Sequence, residues 1–252
     1  MTEPLLAARG LVKRFGGLIA TDHVDLDAFP GEIHALIGPN GAGKTTLIGQ
    51  LTGELRPDAG RVLFAGKDVT ALPTHRRARL GLARSFQITS IFADLTVIEN
   101  VALAVQVSSG HSFRFWQAAA RDPALQRPAQ AALERVGLAR RAAAAAADLS
   151  HGEHRQLELA LALACAPKVL LLDEPMAGMA PEESQRMIGL LRQLKGQLAM
   201  LLVEHDMDAV FALADRISVL VYGRIVASGQ PAEIRGNAEV RQAYLGDEEA
   251  NQ

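Results

Sequence analysis

The segment that most restricts the fold of this chain is IHALIGPNGAGKTTLIGQL, residues 33–51. Within it, Gly38, Gly43, Lys44 and Thr45 follow the spacing G-x-x-x-x-G-K-T. An apolar run typical of a strand precedes this motif, and a run typical of a helix follows it. The glycines let successive backbone N–H groups surround phosphate oxygens without Cβ clashes, and the start of the helix adds partial positive charge. The segment therefore predicts an α/β protein with a phosphate site.

The same loop carries the side chains that a bound nucleotide and its metal require. Lys44 supplies a full positive charge, Thr45 is predicted to ligate Mg²⁺ through its hydroxyl, and Thr46 adds a phosphate contact. The alternative is a chance glycine-rich turn, which the strand and helix flanks disfavour. The predicted nucleotide-binding residues are Gly38, Pro39, Asn40, Gly41, Ala42, Gly43, Lys44, Thr45 and Thr46.

A second segment, KVLLLDEP, supplies two acidic groups to such a site. The four apolar residues 169–172 predict a buried strand that ends in Asp173 and Glu174. Asp173 is suited to hold the Mg²⁺ that Thr45 also holds, and Glu174 is suited to accept a proton from an attacking water. An apolar run ending in Asp-Glu is by itself often a strand meeting a solvated turn. The phosphate loop favours the functional interpretation.

Composition excludes several other classes of protein. The chain has 252 residues, is 49% hydrophobic and has a formal net charge of -2, so no overall basic surface for nucleic acid is expected. One cysteine, Cys165, excludes an internal disulfide framework, and its apolar neighbours predict a buried, inert thiol. We expect no secretory signal in MTEPLLAARGLVKRF. The apolar runs are shorter than a membrane helix, so any membrane role is predicted to be peripheral.

The order of patterns along the chain predicts three regions. Residues 5–63 contain short β-like runs and one helix from about Gly43, residues 90–147 favour helices, and strands alternate with helices after Pro167. This alternation predicts a mostly parallel sheet covered by helices. The run of six alanines, Ala142–Ala147, is interpreted as a helical or flexible link.

The stretch DLSHGEHRQLELALAL, residues 148–163, raises three alternatives. Ser150 is suited to cap a helix, and Glu153 lies three positions later as in a capping box. A serine hydrolase is disfavoured because no G-x-S-x-G segment frames Ser150. A metal site is also disfavoured, since His151 and His154 lie three apart without an evident third ligand. The start of the helix would be a site for an anion.

Taken together, these segments resemble the ATP-binding subunits of ABC transporters. The resemblance covers nearly the whole chain in the same order: Phe15 in KRFGG, the phosphate loop, Gln87 in RSFQ, LSHGE, LLLDEP and His205 in VEHD. It implies a P-loop NTPase of the ABC ATPase type, with a mostly parallel central sheet, an antiparallel β subdomain and an inserted α-helical subdomain. The expected single domain, 1–252, divides into a core with the β subdomain (1–89 and 165–252) and a helical subdomain (about 90–164).

The resemblance also implies a role for each candidate site residue. Phe15 would stack on adenine, although simple core packing is the alternative. The signature segment, defined here as Leu149, Ser150, His151, Gly152 and Glu153, would face the ATP of a second subunit in a head-to-tail dimer. The implied catalytic residues are Glu174, His205, Gln87 and Lys44, and the implied Mg²⁺ residues are Thr45, Gln87 and Asp173.

Three residues depart from the commonest pattern of the family. His151 and Glu153 lie in the signature segment, and Ala180 occupies a position where an acidic or amide residue is usual. Glu153 would place an acid near anionic ATP, which is unfavourable unless its capping role turns the carboxylate away. We therefore expect these positions to affect the stability of the ATP-bound dimer and communication between its subunits.

Within the family, the chain is similar to the branched-chain amino-acid importer group, which implies ATP and Mg²⁺ as cofactors. The implied partners are a second ATP-binding subunit, integral-membrane permeases and, indirectly, an extracytoplasmic solute-binding protein; the location would be the cytoplasmic face of the membrane. Importers of urea, amides or aromatic acids remain open, as does a soluble ABC ATPase that acts on DNA or ribosomes. The insertion with Phe113, Phe115 and Trp116 packs internally or meets a permease, and Phe92 and Leu95 are expected to meet one.

Overall fold

The computed structural model describes residues 3–85, 91–109, 122–238 and 240. Gln87 and the aromatic residues Phe113, Phe115 and Trp116 lie outside the described residues. The chain forms two compact units, one of residues 1–82, 168–174 and 194–252, the other of residues 83–167 and 175–193. Residues 175–193, which the sequence assigns to the core, thus group with the second unit.

The structure contains two sheets of different kinds. The antiparallel sheet has the order β2-β1-β4-β5, formed by β1 (Leu6–Phe15), β2 (Leu18–Ala28), β4 (Ala59–Phe64) and β5 (Lys67–Asp68). The six-stranded sheet has the order β10-β9-β3-β8-β7-β6. Its strands are β3 (Ile33–Ile37), β6 (Leu82–Ser85), β7 (Val169–Asp173), β8 (Ala199–Val203), β9 (Arg216–Val221) and β10 (Arg224–Gly229). Strands β7, β8, β3 and β9 run parallel and β10 antiparallel, which confirms the predicted fold class.

Eight helices accompany these sheets within the described ranges. They are α1 (Lys44–Thr52), α2 (Thr74–Leu80), α3 (Val97–Ser108), α4 (Pro123–Arg135), α5 (His151–Ala164), α6 (Pro181–Leu194), α7 (Met207–Leu213) and α8 (Pro231–Gly236). Helices α3, α4 and α5 pack against one another in the second unit, around Val101, Leu133 and Leu157, each of which is fully buried. Across the described part of the chain, no helix combines the length and apolar character that crossing a bilayer requires.

The burial and register of the parallel strands explain how the phosphate loop and the acidic residues come to lie at one edge of the six-stranded sheet. All five residues of β3, of β7 and of β8 are buried, as expected for strands covered on both faces. Leu36 on β3 and Asp173 on β7 both lie in register with Val203 on β8. The carboxyl ends of these three strands therefore meet at one edge, where ligands bind in open α/β sheets.

The alanine run differs from the predicted helical or flexible link. It begins with turns; one short 3₁₀ segment, Ala139–Arg141, precedes it, and a second, Ala146–Asp148, includes its last two residues. The carbonyl oxygens of Ala142 and Ala144 accept hydrogen bonds, each 3.0 Å long, from Ile98 N–H and Val97 N–H in the first turn of α3. The helical alternative was wrong because helix propensity is a weak preference, and here tertiary contacts between the run and α3 override it.

Candidate nucleotide site

The phosphate loop, residues 38–43, is held from behind by two distant segments of the first unit. A Cβ atom placed on Gly38 would collide with the carbonyl oxygen of Leu220, and one on Gly43 with that of Ala20. Gly43 also has φ 105°, a conformation that favours glycine. Both glycines are therefore required by close contacts with the backbone of the protein itself.

Lys44 begins helix α1 with its side chain folded over the loop. Its Nζ donates to the carbonyl oxygens of Gly38 at 2.6 Å and Pro39 at 3.0 Å. Burial lowers the pKa of Lys44, while the nearby carboxylates of Glu174 and Asp173 act in the opposite direction. Since Gly43 at the N-cap has no side chain, no side-chain cap shields the positive end of the helix from an anion. The loop, the ammonium group and the helix end fit a phosphate group.

Asp173 and Glu174 lie at the end of β7 with different exposure. Asp173 is 4% exposed, whereas the Glu174 side chain is 32% exposed. Glu174 has φ 49°, which is unusual for a residue with a side chain, and its N–H donates to Val203 O at 2.8 Å. Backbone strain of this kind is common where a side chain must be presented to a ligand. Thr45, which is exposed, and Asp173 offer the oxygen ligands that Mg²⁺ prefers.

His205 lies beside the carboxylate of Glu174. Its Nδ1 is 3.7 Å from Glu174 Oε1 and 3.8 Å from Glu204 Oε2. Glu204 is only 1% exposed, and its Oε2 accepts the His205 N–H at 3.1 Å. The sequence interpretation identified Glu174 and His205 but missed Glu204. A signal was present, because an acid at the end of the apolar run LAMLLV requires a partner when buried.

Phe15 ends β1 on the surface of the first unit. It is 47% exposed, so the structure does not place it in the core. Lys13 Nζ lies 5.7 Å from the centroid of the Phe15 ring. The exposed ring is free to stack on a planar ligand, which is the role predicted for it.

The signature segment lies in the second unit and begins α5 with a complete capping box. Ser150 Oγ accepts the Glu153 N–H at 3.2 Å, and Glu153 Oε2 accepts the Ser150 N–H at 2.9 Å, as the sequence predicts. Glu153 Oε1 is 3.2 Å from Arg141 Nε. The Glu153 carboxylate is therefore bound by the cap and lies beside Arg141. Held in this way, its negative charge is compatible with a nearby anion.

The two histidines of this segment contact backbone carbonyl groups. His151 Nε2 is 3.2 Å from Ala177 O, and His154 Nδ1 is 3.0 Å from Ser150 O. Gly152 lies so close to Glu183 that a Cβ would collide with its carboxylate. Glu183 Oε2 also accepts the Ala180 N–H at 3.2 Å. The start of α5 is thus packed against the segment that leads into α6.

Phe92 and Leu95, predicted to meet a permease, precede α3 in the second unit. Phe92 is 56% exposed and Leu95 is half-buried. The backbone N–H of Phe92 donates to Asn100 Oδ1 at 2.8 Å, which fixes the loop that carries the ring. The permease contact stays a prediction.

Comparisons with known proteins identify the family. Residues 21–177 match the family model described as ABC transporter, and residues 224–250 match the one described as branched-chain amino acid ATP-binding cassette transporter. This chain belongs to the ABC transporter family. Its ABC relatives include the high-affinity branched-chain amino acid transport ATP-binding protein LivG of Escherichia coli K12, which is 41% identical over 98% of this chain and 100% of LivG. The corresponding protein BraF of Pseudomonas aeruginosa is 37% identical with the same coverage.

Solved ABC cassettes agree with this assignment. A crystal structure of an ATP-binding cassette in its ADP conformation aligns with a TM-score of 0.86 and 29% identity, covering 97% of this chain and 100% of that one. A nucleotide-free cassette aligns with a TM-score of 0.84 and 28% identity, covering 96% of this chain and 98% of that one. The chain is an ABC ATPase that binds nucleotide, with hydrolysis of ATP coupled to transport.

Proposed function

We propose that this protein is the ATP-hydrolysing motor subunit of an importer for branched-chain amino acids. The observation that carries the proposal is the match of residues 224–250 to the branched-chain amino acid model. The full-length coverage of LivG and BraF supports it, since the names of both relatives state branched-chain amino acid transport. ATP binding alone would not distinguish this solute from urea, amides or aromatic acids.

In this proposal the phosphate loop and Lys44 bind the phosphates of ATP, and Phe15 stacks on adenine. Thr45 and Asp173 would hold Mg²⁺, with Gln87 contributing through water. When bound there, the ion would supply positive charge beside the phosphate oxygens. The buried Lys44 ammonium and its carbonyl partners support this assignment, because a ligand phosphate would replace neutral oxygens by a charged acceptor.

Glu174 accepts the proton of the attacking water, and His205 holds Glu174 and the water in line. The 3.7 Å separation of His205 Nδ1 and Glu174 Oε1 supports this pairing. Glu204, which accepts the His205 N–H, fixes the backbone from which the imidazole projects. Together the three residues orient one base toward the nucleotide edge of the sheet.

Two such subunits arranged head to tail would place ATP between the phosphate loop of one and the signature segment of the other. Closing the pair on ATP changes the orientation of the attached permeases, and hydrolysis resets it. The uncapped start of α1 supports the first of these two anion-binding surfaces. The subunit would work at the cytoplasmic face of the membrane with a second ATP-binding subunit, permeases and, indirectly, a solute-binding protein.

The proposal is tested by capturing the partners of the Glu174→Gln variant, which should retain ATP but not hydrolyse it. The variant is held with ATP and Mg²⁺ in detergent-solubilised membranes of its source, and captured chains are identified by mass spectrometry. The matched control is Lys44→Ala combined with Glu174→Gln, which should not bind ATP. Two permease chains and a second ATPase, encoded with a binding protein for branched-chain amino acids, are expected. Permeases encoded with a urea or amide binding protein would overturn the solute, and ribosomal or DNA-bound proteins alone would overturn transport.

A further inference from the structure

The exposed ring of Phe15 is accompanied by a lysine on the same strand. Lys13 and Phe15 are two residues apart near the end of β1. The Lys13 ammonium lies 5.7 Å from the ring centroid, within the range of a cation–π interaction. An ammonium against one face of the ring restricts its rotation and leaves the opposite face for a planar ligand.

The lysine is itself fixed by Asp58. Lys13 Nζ donates to Asp58 Oδ1 at 2.9 Å, and the Arg14 N–H donates to Asp58 Oδ2 at 2.7 Å. The N–H of Asp58 donates to Val12 O at 2.8 Å. Asp58 is thus bound to the end of β1 through its backbone and through both carboxylate oxygens. The hydrogen bond from Lys13 is the main reason why the pKa of Asp58 lies below its ordinary value.

The Lys13 side chain is less accessible than its position on a surface strand suggests. It is 17% exposed, whereas the Asp58 side chain is 44% exposed. A flexible lysine side chain normally loses conformational freedom when it is held in one place. Here the carboxylate accepts a hydrogen bond from the ammonium, and the ammonium lies over the ring, so the carboxylate, the ammonium and the ring form a chain of contacts. We call these three residues, Asp58, Lys13 and Phe15, the ring support.

We propose that Lys13 and Asp58 are positioning residues for the nucleotide base: they hold the Phe15 ring in the orientation that stacks on adenine. The inference rests on the proposed function, in which Phe15 contacts the base. Neither residue touches the reacting phosphate, so their effect falls on nucleotide affinity and on KM. The rate of hydrolysis at saturating ATP is unaffected.

A simpler explanation is that Lys13 only attracts ATP by its positive charge. The two explanations give opposite expectations for Asp58→Asn. If Lys13 acts by charge alone, removing the Asp58 carboxylate unmasks the ammonium and tightens ATP binding. If Lys13 supports the ring, the same change releases the ammonium from its place and weakens ATP binding.

The test measures ATP affinity by displacement of a fluorescent ATP analogue, together with KM and kcat, for Lys13→Met, Asp58→Asn and the double variant. Arg14→Met is the matched control, because it removes a neighbouring positive charge from the exposed side chain of the residue between Lys13 and Phe15. Lys13→Met and Asp58→Asn are each expected to weaken ATP binding about two- to five-fold, the range of an exposed cation–π contact. The double variant is expected to bind ATP with no lower affinity than the single variant that loses more affinity. Arg14→Met is expected to bind ATP as the unmodified protein does.

A double-mutant cycle with Phe15→Leu separates positioning from a general structural effect. Without the aromatic ring, Lys13→Met should cause no further loss of affinity. An equal loss with and without the ring, tighter binding by Asp58→Asn, or an equal loss in Arg14→Met would each overturn the proposal. Lys44→Ala, measured in parallel, tests the proposed function itself: unchanged ATP binding there would show that the phosphate site, and not the ring support, is misassigned.

Discussion

Acidification from pH 7.5 to pH 5 is expected to lower the free energy of unfolding by about 2 kcal/mol through one side chain, His34. This residue lies on β3, the strand that leads into the phosphate loop, and is 1% exposed. Its Nδ1 is 2.6 Å from Asp27 O, and its Nε2 is 2.8 Å from Ser218 Oγ. Burial lowers the pKa of His34 from 6.5 to about 4, with the Arg216 charge acting in the same direction and the hydrogen bond with Asp27 O opposing it.

The sign of the effect follows from proton binding in the two states. At pH values between about 4 and 6.5, the unfolded chain binds a proton at His34 and the folded chain does not. The contribution of His34 is therefore fully present above pH 6.5 and is lost as the pH falls toward 4. The separation of the two pKa values corresponds to about 3 kcal/mol in total, of which about 2 kcal/mol is lost by pH 5.

Urea unfolding at several pH values between 5 and 7.5 measures this loss, with His34→Gln as the control because glutamine is polar but does not titrate. The unmodified protein is expected to lose about 2 kcal/mol more than His34→Gln over this interval. Equal losses in the two proteins, or an NMR titration that places the His34 pKa near 6.5 in the folded state, would refute the reasoning.

Three further predictions concern helices α1 and α5. Lys44→Ala should abolish measurable ATP binding, and calorimetry showing affinity within a few-fold of the unmodified protein would contradict the role of Lys44. Ser150→Ala should lower the free energy of unfolding by about 1 kcal/mol through loss of the α5 cap, while Ser150→Asp, which retains an acceptor, should keep most of it; equal urea midpoints for all three proteins would count against the cap. Arg77, 2% exposed, donates to Gln50 O and Leu51 O at the end of α1, so Arg77→Met should cost about 3 kcal/mol in urea unfolding. A cost below about 0.5 kcal/mol would show that water replaces the guanidinium.

The features that were predictable from the sequence are those fixed by local spacing. The position of glycines around Lys44 specifies a loop between a strand and a helix, and an apolar run followed by Asp173 specifies a buried strand that ends in a carboxylate. The capping box of Ser150 and Glu153 is equally local, because the backbone and side-chain groups that form it belong to two residues within one helical turn. Each of these elements lies where the sequence predicted it.

The features that were not predictable depend on contacts between distant segments. No local pattern shows that the carbonyl oxygens of Leu220 and Ala20 press against the phosphate loop. Nor does helix propensity show that Ala142 and Ala144 supply carbonyl groups to α3. Such contacts are decided by how the sheets and helices pack, which a single sequence does not display.

The central claim, that this ATPase drives import of branched-chain amino acids, is tested most directly by measuring uptake of labelled leucine in cells of the source organism that lack the gene. The deletion is expected to lower uptake, and the unmodified gene to restore it. The Glu174→Gln gene, expressed to the same level, is expected not to restore uptake. Leucine, isoleucine and valine uptake that is unchanged by the deletion, or restored equally by Glu174→Gln, would contradict the account.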